Sequence, residues 1–258
     1  IIKPCISNVS VDIDVTRSAV SNFADLEIID DYLKVSPKKE YEKEITIDVK
    51  ESGTSLRLLI PIISALGIKC TFMGSEKLLS RPMDIYKNIW KEQGLEFNIS
   101  KDFLNISGKL KPSDFRISGN ISSQFISGLL FALPLLENNS KIIIDGELES
   151  APYVMMTLKT LKAANIEISR HSDNIIEVYG NQNYSSINYE IESDWSHAAF
   201  FAAAGALGGE TTLYGLNNYS IQGDKEILNI LKFMGANIYY NDDNSITIKK
   251  SNRLNALD

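Results

Sequence analysis

The chain reads Ser118-Gly119-Asn120-Ile121-Ser122-Ser123-Gln124-Phe125 at the head of a long apolar run. Gly119 and Asn120 predict a loop with unusual backbone angles, and Ser122 and Ser123 predict caps for the helix that follows. Free N–H groups and the positive end of the helix dipole at such a start attract an anion, so the stretch predicts a phosphate site. Helix capping without a ligand is the alternative for this motif taken alone.

The sequence repeats with a regular period. Pro82, Pro152 and Gly223 recur 70 and 71 residues apart. Each unit predicts a strand, a buried helix, a second strand, an amphipathic helix and two short strands such as Glu96 to Ile99 and Phe103 to Ser107. Three copies with this spacing indicate a repeat architecture of the α/β (α+β) class. The units open at Ile45 to Thr54, Phe115 to Gln124 and Tyr189 to His197.

The first helix of each unit is almost entirely apolar, as in Phe200 to Leu207. Such helices are expected inside a ring of units rather than on a surface. Ser, Asn or Gly interrupts every apolar run, so none predicts a membrane span.

The two ends of the chain fit the period badly. Residues 9 to 29 resemble the closing helix of an earlier unit, and Ile246 to Asp258 resemble the opening of a later one. We therefore expect the chain to be a piece of a longer protein.

The composition is that of a folded cytoplasmic protein with a large core, since 44% of its 258 residues are hydrophobic. A net charge of -7 without a basic stripe argues against a nucleic-acid partner. Cys5 and Cys70 form no disulfide framework, metal cluster or Cys–His nucleophile in the sequence pattern, so both are predicted to be buried thiols.

An acidic chain that binds an anion needs cations at chosen places. Arg57 is predicted to project from the first turn of the helix after Gly53, and Arg81 precedes Pro82 in an extended loop that can fix its guanidinium. Surface salt bridges are the alternative for both. Ser150 and Tyr153 occupy the Arg81 position of the next unit, which indicates one site built from several repeats.

These motifs together resemble the EPSP synthase (3-phosphoshikimate 1-carboxyvinyltransferase) family over nearly the whole chain. The resemblance implies domains of three repeats around a pseudo-threefold axis, with sheets surrounding inner helices whose N-termini point at a cleft between two domains. The stretches that carry it are Ser52 to Arg57, Leu79 to Met83, Ser118 to Leu130, Ser150 to Leu158 and Asp194 to Phe201.

The resemblance also implies a reaction. The enolpyruvyl group of phosphoenolpyruvate passes to the 5-hydroxyl of shikimate 3-phosphate by addition and elimination, and phosphate is released. Neither metal nor cofactor is implied, so Arg and Lys handle the charge. The full-length protein is expected to be a monomer with these two small molecules as its partners.

Residue roles follow from the same resemblance. Ser122, Ser123 and Ser150 correspond to positions that hold the shikimate phosphate, and Tyr153 lines the shikimate pocket. Gln124 lies between the two substrates.

For phosphoenolpyruvate, the resemblance implies binding by Gly53, Arg81 and Gln124. Thr54 and Arg57 flank that place in a supporting role.

The chain departs from the family pattern in two ways. Glu51-Ser52 stands where the family usually has Asn-Ala, which brings an acid near an anion site. The family's Lys-Ser and Arg motif would precede Ile1, and its catalytic Asp with later Lys and Arg groups would follow Asp258. We therefore expect no catalytic residue in this chain and no activity from this piece alone. Residues 1–190 are expected to form a nearly complete shikimate-phosphate-binding domain, and residues 191–258 the incomplete first repeat of a second domain.

Two other interpretations stay open. UDP-N-acetylglucosamine 1-carboxyvinyltransferase shares the repeats but usually has a reactive loop cysteine, whereas Cys70 is predicted in a strand. A non-catalytic repeat module that binds phosphate would keep Ser122, Ser123 and Arg81 without turnover.

Overall fold

The computed structural model describes residues 2–3 and 9–256. Two compact units divide the chain, Ile1–Tyr189 and Glu190–Asp258. Cys5, one of the two thiols predicted to be buried, lies outside the described residues.

The first unit opens with a helix and a small antiparallel sheet. Ser10 caps the helix, and the strands pair in the order β1-β3-β2. The helix predicted over residues 9 to 29 is confirmed for Val11–Val20 and is wrong for Ala24–Ile29, which is a strand. The elements are β1 (Ile2–Lys3), α1 (Val11–Val20), β2 (Ala24–Ile29) and β3 (Tyr32–Pro37).

The next segment is the first complete repeat. Its strands β4 and β5 are parallel and are joined by the helix α2, and the sheet order is β4-β5-β7-β6. Parallel neighbours require such a crossover, which places the helix on one face of the sheet. The elements are β4 (Glu44–Asp48), α2 (Gly53–Ala65), β5 (Lys69–Met73), α3 (Glu76–Leu79), α4 (Asp84–Glu92), β6 (Glu96–Ile99) and β7 (Phe103–Ser107).

The second repeat has the same topology. Its sheet order is β8-β9-β11-β10, with β8 and β9 parallel and joined by α5. The predicted succession of strand, buried helix, strand, helix and two strands is confirmed for both repeats. The elements are β8 (Asp114–Ser118), α5 (Ser123–Ala132), β9 (Ser140–Asp145), α6 (Ala151–Ala163), β10 (Ile168–Ser172) and β11 (Ile175–Val178).

The second unit is a third repeat with a smaller sheet. Its order is β13-β15-β14, and β12 is not part of it. The interpretation of Ile246 to Asp258 as the opening of a later unit is wrong, because β15 pairs with both β13 and β14 and so closes this repeat. The elements are β12 (Tyr189–Glu190), α7 (Trp195–Gly208), β13 (Glu210–Leu213), α8 (Ile227–Phe233), β14 (Asn237–Tyr240) and β15 (Ile246–Lys249).

The core of the first unit lies around α2 and α5, which pack against each other. Ile60 and Ile63 of α2, with Leu129 and Leu130 of α5, are completely buried. The expectation of inner helices is therefore met in this unit, and their burial supplies much of its hydrophobic stabilisation.

The helix α7 does not fit that expectation. Trp195 and Ala202 are buried against its own unit, but Phe200, Phe201 and Leu207 are 76%, 61% and 68% exposed. The physical reason is that its unit contains a single repeat, so α7 has no sister helix there of the kind that α2 and α5 provide for each other.

Gly119 also differs from its prediction. Neither Gly119 nor Asn120 has a positive φ. A Cβ on Gly119 would lie 2.2 Å from the carbonyl oxygen of Glu147. Glycine is therefore required by the close approach of a neighbouring loop, and the backbone angles are ordinary.

Candidate functional site

Two serines, Ser52 and Ser55, form hydrogen bonds with each other at the start of the helix α2. The Ser52 side chain accepts a hydrogen bond from the Ser55 backbone N–H at 3.3 Å, and the two serine hydroxyl oxygens are 2.8 Å apart. The preceding Glu51 is exposed and forms no ion pair within the described residues. The first turn of α2, which starts at Gly53, thus keeps free N–H groups and the positive end of a helix dipole.

Two guanidinium groups converge on Gly53. A Cβ at Gly53 would lie 2.9 Å from Nη1 of Arg81 and 3.8 Å from Nη1 of Arg57. Arg81 is exposed and reaches this point from the loop after α3, whereas Arg57 is half-buried and comes from the second turn of α2. A side chain at position 53 would occupy the space between the two cations and would displace the Arg81 guanidinium.

The positive charge at this place has no acidic partner among the described residues. Neither Arg57 nor Arg81 makes an ion pair in the part of the chain that the structure describes. The Nε of Arg57 is buried and has no hydrogen-bond partner there. Burial, together with the positive charge of Arg81, lowers the pKa of the Arg57 guanidinium. Charge arranged in this way favours a bound anion, since an anion would relieve both the repulsion and the desolvation.

Gln124 connects the two inner helices at the same place. Its Oε1 accepts a hydrogen bond from Arg57 Nη1 at 2.9 Å, and its Nε2 donates to Thr54 Oγ1 at 2.7 Å. Both bonds link the first two turns of α2 to the first turn of α5. Further along the helices, Gly128 lies beside Pro61. The contacts therefore follow each other in the same direction, and the two helices are parallel with their N-termini at one end.

The start of α5 carries the predicted serines. Ser122 is the N-cap, and its hydroxyl accepts a hydrogen bond from the Gln124 backbone N–H at 3.4 Å. Ser123 is the first helical residue and is buried. Just before the helix, Ser118 donates to the side-chain oxygen of Asn120 at 2.6 Å.

Ser150 and Tyr153 lie at the start of the next helix, α6. This helix packs beside α5, where the hydroxyls of Ser127 and Thr157 are 2.8 Å apart. Ser150 occupies the N-cap position without a side-chain capping bond, and Tyr153 is exposed.

The structure thus brings Gly53, Thr54, Arg57, Arg81 and Gln124 together through direct contacts. Ser122 and Ser123 share a turn with Gln124, while Ser150 and Tyr153 stand at the start of the adjacent helix. The assignment of each residue to a particular substrate stays a prediction.

Sequence reasoning missed two aromatic residues behind this site. The Arg57 guanidinium lies over the ring of Phe125, with Cζ 5.0 Å from its centre, in a cation–π contact. Tyr86 is completely buried and donates hydrogen bonds to carbonyl oxygens of both inner helices. The signal in the sequence is Pro61, which interrupts the backbone hydrogen bonds of α2 and so leaves a carbonyl oxygen that needs another donor. Tyr86 is that donor in the structure.

Among residues 2–3 and 9–256, no three His, Cys, Asp or Glu side chains are grouped to hold a metal ion. No described helix has the length and apolar character needed to cross a membrane. Cys70 lies in β5, is buried, and has its pKa raised to about 12 by that burial, so it is not an activated nucleophile.

Solved structures of known proteins have this fold. Two structures of EPSP synthase from Acinetobacter baumannii superpose with TM-scores of 0.70 and cover 94% of the chain. They are 22% and 20% identical in sequence, and the match spans 57% and 58% of their own length. The expected architecture of α/β repeats with mixed and antiparallel sheets is confirmed by this likeness.

Sequence comparison shows the family. The model of the EPSP synthase (3-phosphoshikimate 1-carboxyvinyltransferase) family matches residues 8–258. A curated 3-phosphoshikimate 1-carboxyvinyltransferase from Brachyspira hyodysenteriae is 79% identical over the whole chain, and one from Clostridium novyi is 45% identical over 85% of it. The chain belongs to the EPSP synthase family, as the resemblance predicted. It spans 61% of the length of the first relative and 51% of the second.

Proposed function

We propose that the protein, at the full length of its relatives, transfers the enolpyruvyl group of phosphoenolpyruvate to the 5-hydroxyl of shikimate 3-phosphate and releases phosphate. The observation that carries this proposal is the pair Arg57 and Arg81, held around Gly53 without an acidic partner among the described residues. Both substrates are anions, and the site offers positive charge beside two helix N-termini.

The chemistry explains why charge is concentrated here. The 5-hydroxyl oxygen gives up its proton and bonds to the central carbon of phosphoenolpyruvate, while a proton is added to the methylene carbon, which becomes a methyl group. The phosphate group then leaves from the central carbon, and the methyl group gives up a proton to restore the double bond. Negative charge is present on phosphate and carboxylate throughout, so fixed guanidinium groups stabilise the reacting molecule without a metal ion.

In this proposal each residue binds or orients. Arg81 and the backbone at Gly53 bind phosphoenolpyruvate, and Arg57 with Thr54 supports that place. Gln124 lies between the substrates, because it belongs to α5 and its side chain forms hydrogen bonds with Arg57 and Thr54 of α2.

The start of α5 holds the other substrate. Ser122 and Ser123 donate to the phosphate of shikimate 3-phosphate, Ser150 adds a further hydroxyl and Tyr153 lines the ring. The proposal further includes a monomeric, cytoplasmic enzyme without a nucleic-acid partner, and two domains that meet near residue 190, with 1–190 binding shikimate 3-phosphate.

The first test is the reaction itself. The protein extended to the length of its relatives is expected to release phosphate from phosphoenolpyruvate only when shikimate 3-phosphate is present. UDP-N-acetylglucosamine should not replace it, since Cys70 is buried with a raised pKa. Binding of shikimate 3-phosphate without any phosphate release would favour the non-catalytic module and overturn the proposal.

Ser123→Ala tests the shikimate phosphate site. A hydroxyl that donates to a phosphate contributes about 1 to 3 kcal/mol, so calorimetry should show shikimate 3-phosphate binding weakened by that amount. Ser127→Ala, the same change four residues along α5 where the hydroxyl contacts Thr157, serves as the control and should leave affinity unchanged. Equal affinities for Ser123→Ala and the unmodified protein would refute this role.

Arg81→Lys tests the phosphoenolpyruvate site. Lysine keeps the charge but loses the planar pair of donors, so KM for phosphoenolpyruvate should rise by about 10-fold, the equivalent of about 1.4 kcal/mol. KM for shikimate 3-phosphate should change much less. The control is Arg116→Lys, at an exposed arginine in β8 that pairs with Asp145. An equal rise in both KM values would contradict the assignment of Arg81.

A further inference from the structure

The helix α2 contains a proline in its interior. In an α-helix the N–H of residue 61 donates to the carbonyl oxygen of residue 57, but Pro61 has no N–H to give. The carbonyl of Arg57, whose guanidinium faces the anion site, therefore lacks its ordinary helical donor.

Tyr86 of α4 supplies a donor at this position. Its hydroxyl lies 2.9 Å from the carbonyl oxygen of Arg57 and 3.0 Å from that of Phe125 in α5. The single hydroxyl proton is shared between the two carbonyls, so one side chain joins the backbones of both inner helices. Burial raises the pKa of this hydroxyl well above its usual value, which keeps it protonated as a donor.

The hydroxyl sits where the two helices come closest. A Cβ on Gly128 would lie 2.5 Å from the Tyr86 hydroxyl and 2.6 Å from the carbonyl oxygen of Arg57. The helices can approach in this way because residue 128 has no side chain. Pro61, Tyr86 and Gly128 thus form one contact point between α2 and α5.

This contact point lies directly behind the site. The ring of Phe125 meets the ring of Tyr86 edge-on at 4.8 Å and carries the Arg57 guanidinium at 5.0 Å. The two carbonyls that Tyr86 binds belong to Arg57 and to Phe125, the residue after Gln124. A shift of either backbone would move the Arg57–Gln124 hydrogen bond.

We propose that Tyr86 is a positioning residue for the anion site: its hydroxyl gives Arg57 the hydrogen bond that Pro61 cannot, and so fixes α2 against α5 with Arg57 and Gln124 in register. The identity of the anion as phosphoenolpyruvate rests on the proposed function, but the positions of the Arg57 and Gln124 side chains do not depend on it.

Tyr86→Phe in the protein at the length of its relatives removes the hydroxyl and keeps the ring. KM for phosphoenolpyruvate should rise about 3- to 10-fold, the range for a lost hydrogen bond, with a smaller change for shikimate 3-phosphate. The matched control is Tyr184→Phe, because the Tyr184 hydroxyl donates to the carbonyl of Phe131 in α5, away from the site. That variant should leave both KM values unchanged.

Pro61→Ala separates positioning from simple packing. Alanine restores an N–H for the Arg57 carbonyl, so adding Tyr86→Phe in this background should raise KM for phosphoenolpyruvate less than about twofold. If the Tyr86 hydroxyl had only a structural role, its loss would lower the free energy of unfolding equally with and without Pro61→Ala. The ratio of the KM for phosphoenolpyruvate to the KM for shikimate 3-phosphate would then stay unchanged.

The outcomes are distinct. An unchanged KM for phosphoenolpyruvate in folded Tyr86→Phe, or an equal rise with and without Pro61→Ala, overturns the inference.

If the unmodified protein releases no phosphate, the proposed function fails, and titration of the same variants with inorganic phosphate gives the affinity of the anion site in place of KM. If Tyr86→Phe alone does not fold, the Pro61→Ala/Tyr86→Phe protein should fold and bind like Pro61→Ala, and its failure to do so also refutes the role.

Discussion

The parallel contact between α2 and α5 is the interaction on which the site depends. It places two helix N-termini at one end and brings Arg57 and Thr54 within hydrogen-bond distance of Gln124. Like ends of two dipoles repel, and two guanidinium groups with no carboxylate partner in the described part of the chain add to that repulsion. The apolar surface buried between the helices offsets the cost, since most of their contacting side chains are fully buried. The unit thus holds in place a concentration of positive charge that is complementary to an anion.

The same contact distinguishes structural requirements from chemical ones. Gly128, Pro61 and Tyr86 decide how closely the helices approach, while Gly53 leaves room for two guanidinium groups. A substitution of Gly128, Pro61 or Tyr86 would change the site by moving the backbones of the two helices. A side chain at Gly53 would occupy the anion's place directly.

The fold could be predicted from the sequence to a large extent because the repeat gives the same information three times. Apolar runs after short strands, with turns at a constant spacing, specify the crossover helices and their sheets in both repeats of the first unit. The exposure of Phe200 and Phe201 could not be predicted in this way, because burial depends on neighbours and not on the helix alone. The strand β15 was misassigned because a short apolar strand has the same pattern at the start and the end of a unit.

The site was predicted where chemistry and local sequence coincide, as at Gly53 and Arg81, which the structure brings together. Tyr86 was missed because its role requires two carbonyl groups from separate repeats, and sequence spacing does not show which backbone atoms meet. The sequence around Gly119 predicts a glycine needed for its backbone conformation, whereas the structure shows that the space taken by Glu147 requires it. These are long-range contacts that only the packed chain reveals.

A crystal structure of the protein, at the length of its relatives, with phosphoenolpyruvate and shikimate 3-phosphate would show whether Arg57 and Arg81 around Gly53 bind a substrate anion. We expect phosphoenolpyruvate oxygens within hydrogen-bond distance of the Arg81 guanidinium beside Gly53, with the shikimate phosphate at the start of α5. Phosphoenolpyruvate bound elsewhere, with Arg57 and Arg81 paired to carboxylates of the protein, would contradict it.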